Sequence, residues 1–234
     1  MNQSLIPNIV NHPFVFIVDS SSSSDLYHGY SIGMALRDML RAIRIRCYYV
    51  LAINTQAFYM AFQQRLPAAV HNIQSRPNIN AIPFIHLCMH GSPNGIHLTD
   101  TSFIEWFNLR QLLQNHNNVK GFDPFVCMAS CNGLNATNMA TAFDKAFNFL
   151  IGNTGEVLQS DVTVAYASFY NSIIHKRMSI EDAVNAMRIA SGDSNFYYAH
   201  GELVQNQKLS ELQASMVQAQ WNPEPSIDDD WDGM

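Results

Sequence analysis

Charge is scarce in this 234-residue chain: Asp, Glu, Lys and Arg make up 14% of it, against about a quarter in ordinary globular proteins. With 47% hydrophobic residues, that scarcity calls for extensive buried surface or a face covered by a partner. A basic excess is absent too, since 13 Lys and Arg stand against 19 Asp and Glu for a net charge of −6. Such a chain carries no broad electrostatic footprint for nucleic acid. Cysteines number four, and Cys47, Cys88, Cys127 and Cys131 sit in apolar runs, away from the loop spacings of a disulfide framework. No run approaches the roughly 18 apolar residues of a membrane span. The first residues, Met1 to Pro7, show no basic region followed by an apolar stretch, so no secretory signal is read there. The expectation is a cytoplasmic protein whose cysteines pack, bind metal or catalyse rather than pair.

Short apolar runs alternate with longer helical patterns, which predicts an α/β domain with a mostly parallel sheet. Strands are predicted at Phe14–Val18, Cys47–Ile53, Ile82–Met89, Phe125–Ala129 and Phe149–Gly152. Ile32, Leu36, Met39, Leu40 and Ile43 recur at helical spacing between Tyr30 and Arg44, and residues 56–74 read as a crossover helix. Ser92-Pro93-Asn94-Gly95 signals a turn, with Ile96-His97-Leu98 a short hairpin excursion. Ser102 is placed to cap a helix carrying Ile104, Phe107, Leu109, Leu112 and Leu113. Further helices are predicted at Asn138–Phe147, Asp161–Lys176 and Ser179–Ser191. The chain divides into an N-terminal segment 1–12, one domain 13–220, and an acidic tail 221–234 with the run Asp228-Asp229-Asp230-Trp231-Asp232.

Two strand ends carry the chemistry. Parallel strands place their carboxyl ends along one edge, where ligands bind. His90-Gly91 follows the third strand, and Ser130-Cys131-Asn132-Gly133 follows the fourth. On neighbouring strands, the His90 imidazole comes within reach of the Cys131 thiol, and a nearby imidazole is the usual means of activating a thiol nucleophile. Gly91 lets backbone approach a substrate carbonyl, and the N–H groups of Gly91 and Cys131 can form an oxyanion hole. Read separately, Cys131 is a small core residue and His90 a turn residue; together at successive strand ends they form a candidate site.

A metal reading competes with this one. His86, Cys88 and His90 alternate onto one side of their strand, and Cys127 and Cys131 share a side of the next. These are ligands suited to zinc. Positions 86, 88 and 127 fall under a packed helix, however, and no Cys-x-x-Cys pair is present, so no metal and no cofactor is assigned. Arg37, Arg41, Arg44 and Arg46 read as a solvated basic face.

His90-Gly91 and Cys131-Asn132-Gly133 resemble the His-Gly and Cys-x-Gly pair of caspase-like cysteine peptidases. They stand 41 residues apart in the chain (90 to 131), near the roughly 50 of caspases. Phe149-Leu150-Ile151-Gly152, Ser160-Asp161, Ala167-Ser168-Phe169-Tyr170 and Met178–Val184 resemble the bacterial CHAT branch, and the likeness spans about residues 13–195. The resemblance implies a three-layer α/β/α sandwich and peptide-bond hydrolysis by Cys131 and His90 through a thioester, with no third carboxylate. It also implies a protein substrate, a role in bacterial defence or regulated proteolysis, and activation by a protein partner. Several relatives carry an acid that receives a basic substrate side chain where this chain has Ala129. Asp19, at the end of the first strand, matches the place of such an acid in some relatives, with Asp161 and Asp25 in reserve; a helix-capping or loop-hydrogen-bonding role is the other reading of Asp19. The rival from another class is an idle caspase-like module that recruits a partner.

Overall fold

A computed structural model describes residues 9–120 and 124–221. Its centre is a run of parallel strands buried on both faces, as apolar runs without polar alternation require. In β1 (Val10–Ser20), Phe14, Phe16 and Val18 enter one core while Val15 and Ile17 enter the other. The chain then forms α1 (Ser23–His28), α2 (Ile32–Ala42), β2 (Cys47–Leu51) and α3 (Thr55–Met60). A π-helical turn at Ala61–Arg65 leads into α4 (Leu66–Gln74) and β3 (Ile79–Ser92). Next come β4 (Gly95–His97), β5 (Phe103–Glu105), α5 (Trp106–Lys120) and β6 (Phe125–Ala129). A 3₁₀ segment, Gly133–Met139, precedes β7 (Phe149–Asn153) and α6 (Gln159–Tyr170), which runs on into a π-helical turn. The chain closes with α7 (Ile180–Ser191), β8 (Phe196–His200) and α8 (Gly201–Trp221).

The sheet order is β2-β1-β3-β6-β7-β8, parallel through β7, with β8 antiparallel at the edge. The β4–β5 excursion pairs onto the far end of β3. Phe58, Leu66, Val70, Ile73, Leu109 and Leu113, from α3, α4 and α5, close one face. Leu36, Leu40, Val162, Phe169, Val184 and Met187, from α2, α6 and α7, close the other. Each such side chain contributes roughly 1.5–3 kcal/mol on full burial, so the two faces are the main stabilising layers. The result is the predicted three-layer sandwich around a mostly parallel sheet.

Two local expectations are corrected, and one strand is added. Ser102 does not cap a helix: Phe103–Glu105 forms β5 against β4, and α5 begins at Trp106, whose indole N–H donates to the Pro93 carbonyl (2.8 Å). The helix expected over 138–147 does not form: Asn138 and Met139 end the 3₁₀ segment and the rest is irregular. There Thr141 Oγ1 accepts from the N–H groups of Phe143 and Asp144, and Asp144 pairs with Arg110. These local bonds compete with the helical ladder and win. Finally, β8 was not foreseen, because it is a short edge strand whose partner β7 is recognisable only in three dimensions. Ser179 does cap α7, accepting from the Asp182 N–H (3.1 Å). Residues 222–234 of the predicted acidic tail lie outside the described residues.

Candidate active site

The register sets the edge where the site lies. Asp19 of β1 stands beside Cys88 of β3, and Cys88 beside Ala129 of β6. Two residues beyond the last β3–β6 pair, His90 and Cys131 stand at this same edge. Both line one cleft of about 150 Å³, with Cys88 and Ala129 in its wall and Asp25 and Gln159 contributed by the flanking segments.

Cys131 is presented by a tight turn. Asn132 adopts a left-handed conformation (φ 53°), its N–H donates to the Gly155 carbonyl (2.7 Å), and its own carbonyl accepts from Asn135 (2.9 Å). Asn tolerates this region better than most residues. The N–H of Cys131 has no acceptor among the described residues. The turn is pressed against β3: a Cβ on Gly91 would lie 2.1 Å from the Cys131 carbonyl oxygen, and one on Gly133 would lie 2.7 Å from the Met128 Cβ. Only glycine fits these two approaches. The glycines of the His-Gly and Cys-x-Gly pairs are therefore required by packing as well as by any chemistry.

Cys131 is half-buried and His90 exposed, and the His90 ring nitrogens have no partner among the described residues. The other thiol of the cleft wall, Cys88, is held neutral. Burial, then the charges of Asp19 and Cys127, pushes its pKa well above the ordinary thiol value. Burial likewise pushes Cys127 up to about 12.

The candidate acids separate clearly. Asp19 is wholly buried and outside the cleft lining. One carboxylate oxygen accepts from the Ser21 N–H (3.1 Å) and the Ser21 hydroxyl (2.7 Å). The other accepts from the Tyr49 hydroxyl (2.9 Å) and the hydroxyl of Ser31, the N-cap of α2. With four donors on it, Asp19 fastens the loop and helix beside the cleft. Asp161, in the first turn of α6, accepts from the Ser160 hydroxyl (3.1 Å) and also lies outside the lining, although its neighbours Gln159 and Val162 belong to it. Asp25 does line the cleft. Its Oδ2 accepts from the Ser22 hydroxyl (2.6 Å), and its Oδ1 has no partner among the described residues.

The metal alternative finds no geometry, since the described residues hold no group of three or more His, Cys, Asp or Glu placed for a metal ion. His86 is instead a core residue, its Nδ1 3.0 Å from the Tyr170 hydroxyl and its ring edge-on to Tyr166. Gln159 and Ile32 were not anticipated as cleft residues. The signal for both is that a helix following a strand's carboxyl end starts at the same edge.

No family model matches the sequence, and no curated protein does. Among solved structures, the chain is similar to a secreted C11 cysteine protease, iotapain, from Bacteroides thetaiotaomicron. The two share 12% identity at a TM-score of 0.51, over 92% of this chain and 71% of that one. The fold is caspase-like. Within that fold, the carboxyl edge bearing His90 and Cys131 is the edge where an open α/β sheet binds its ligands. Among the described residues, no helix is long and apolar enough to cross a membrane.

Proposed function

We propose that this chain is a cysteine endopeptidase with Cys131 as nucleophile and His90 as general base. The observation that carries the reading is that His90 and Cys131 line one cleft, beside a Cys131 N–H that has no acceptor among the described residues. His90 takes the thiol proton, and Sγ attacks the scissile carbonyl carbon. The N–H groups of Cys131 and Gly91 hold the tetrahedral oxyanion. Collapse breaks the C–N bond and His90 returns the proton to the leaving amine, leaving a thioester. Water, deprotonated by His90, then hydrolyses the thioester and restores the thiol.

Asp25 is the proposed receiver of an Arg or Lys on the acyl side of the scissile bond. Its support is position, as the carboxylate in the cleft lining, with one oxygen open to a ligand. Membership of the CHAT-type branch, a cytoplasmic location, and a part in regulated proteolysis or bacterial defence set off by a protein partner are further proposals. The branch and the defence role rest on the likeness of Phe149–Gly152 and Met178–Val184 to that branch, and the location on four cysteines that sit in apolar runs and are unpaired. Cleavage of peptides differing only at the residue before the scissile bond tests the activity and its specificity together. Turnover of Arg and Lys peptides that vanishes in Cys131→Ala supports the reading. Turnover that persists in Cys131→Ala, or none in the wild type, overturns it.

A further inference from the structure

His90 and His97 are directly opposite one another in the antiparallel pairing of β3 with β4. Such a pair projects to one face with Cβ atoms about 4.5–5.5 Å apart. Two imidazoles rooted that way can each turn a nitrogen toward a common point. Both residues line a second cavity, of about 390 Å³, whose wall also holds Thr99 and Thr101. His90 thus borders two spaces, the cleft it shares with Cys131 and this one, which it shares with His97.

The two rings also differ from the engaged histidines of the chain. Those of His28, His86 and His175 lie at hydrogen-bond distance from Ser24, Tyr170 and Ile43 respectively. The nitrogens of His90 and His97 have no hydrogen-bond partner among the described residues, and both residues are exposed. The hairpin that carries them is firmly held. Ser92 Oγ donates to the Gly95 carbonyl (3.1 Å), Trp106 Nε1 donates to the Pro93 carbonyl (2.8 Å), and the Phe103 ring packs on His97 at 4.8 Å between centroids.

We infer that His90 and His97 form a chelating site for a divalent transition-metal ion of the zinc, nickel or copper class, a class for which imidazole is a suitable ligand. With two protein ligands rather than the three of a catalytic zinc site, the ion is held reversibly, and water completes its coordination. The consequence for catalysis rests on the proposed role of His90. A ring whose nitrogen lone pair is bound to metal cannot take the Cys131 proton, so the ion acts as a brake on the dyad.

The test needs no turnover. Titration calorimetry with NiCl₂ or ZnCl₂ on the Cys131→Ala protein keeps the thiol out of the binding. The expected result is one saturable ion, with affinity lowered at least about tenfold in the His97→Ala and His97→Gln forms and unchanged in His28→Ala. Both His97 variants alter an exposed side chain, and a thermal melt checks that they are folded. Absence of saturable binding in the Cys131→Ala protein, or equal affinity with and without His97, overturns the site. Where the wild type turns over peptide, ZnCl₂ inhibits it and the His97→Ala form resists. An inactive wild type would defeat the peptidase reading and leave the calorimetric result standing by itself.

Discussion

The Cα of Gly91 packs against the carbonyl of Cys131 so tightly that a methyl group there would stand 2.1 Å from the oxygen and 2.9 Å from Ser130 Oγ. The two strand ends bearing the proposed base and nucleophile are thus locked backbone to backbone. That contact fixes how far apart they can be.

Gly91→Ala forces the two turns apart. Overpacking of this kind costs about 1–3 kcal/mol, so the melting temperature falls while a folded protein remains. Peptide turnover is lost far beyond what the stability change explains. Gly155→Ala is the control, since a Cβ there meets nothing closer than Asn153 Oδ1 at 3.9 Å. Melting curves and peptide assays on the two variants make the comparison.

Asp19 and Asp25 separate stability from specificity. Asp19→Ala strands the Ser21, Ser31 and Tyr49 donors in a buried pocket. At about 1–3 kcal/mol for each buried group left unpaired, the expected loss is at least about 3 kcal/mol by chemical denaturation.

Asp25→Asn leaves the fold intact, because Asp25 is half-exposed and its carboxylate bonds only the Ser22 hydroxyl among the described residues. Its expected effect is on substrate choice. The kcat/KM for an Arg peptide falls at least about tenfold relative to an Ala peptide. An unchanged ratio removes Asp25 from the role of receiving the basic side chain.

His86 makes stability depend on pH. Burial lowers its pKa from the ordinary 6.5 to about 3. Between those values the unfolded chain binds a proton that the folded one refuses. Titration of His86 therefore leaves stability unchanged above about pH 6.5, and stability falls as pH drops from there toward 3, by up to about 1.4 kcal/mol per pH unit. Urea unfolding at pH 7, 6 and 5 shows that slope in the wild type. In His86→Gln this contribution is absent and the profile is flatter.

Much of this arrangement was legible from sequence, and the failures have physical reasons. The parallel strands announced themselves because burial on both faces leaves unbroken apolar runs such as Phe14–Val18. That His90 and Cys131 lie at one edge and line one cleft was legible because parallel strands end on the same edge. Asp19 was read as a cleft acid from its place at a strand end. Its alternation with Val15 and Ile17 puts it instead on the inner face under α2, where Ser31 and Tyr49 reach it. The opposition of His90 and His97 depends on a hairpin register, which a turn signal alone does not set. Residues 138–147 look helical by apolar spacing, but the Thr141 and Asp144 side chains supply bonds that spacing does not register.

The proposed dyad is tested most directly by mass-spectrometric mapping of cysteines after exposure to a peptidyl electrophile ending in arginine. Modification at Cys131 alone is predicted, slowed at least about a hundredfold in His90→Ala, since a general base in the proposed role is worth about 10²–10⁴. Labelling of Cys131 at equal rates with and without His90, or labelling of half-buried Cys47 in its place, would contradict the account.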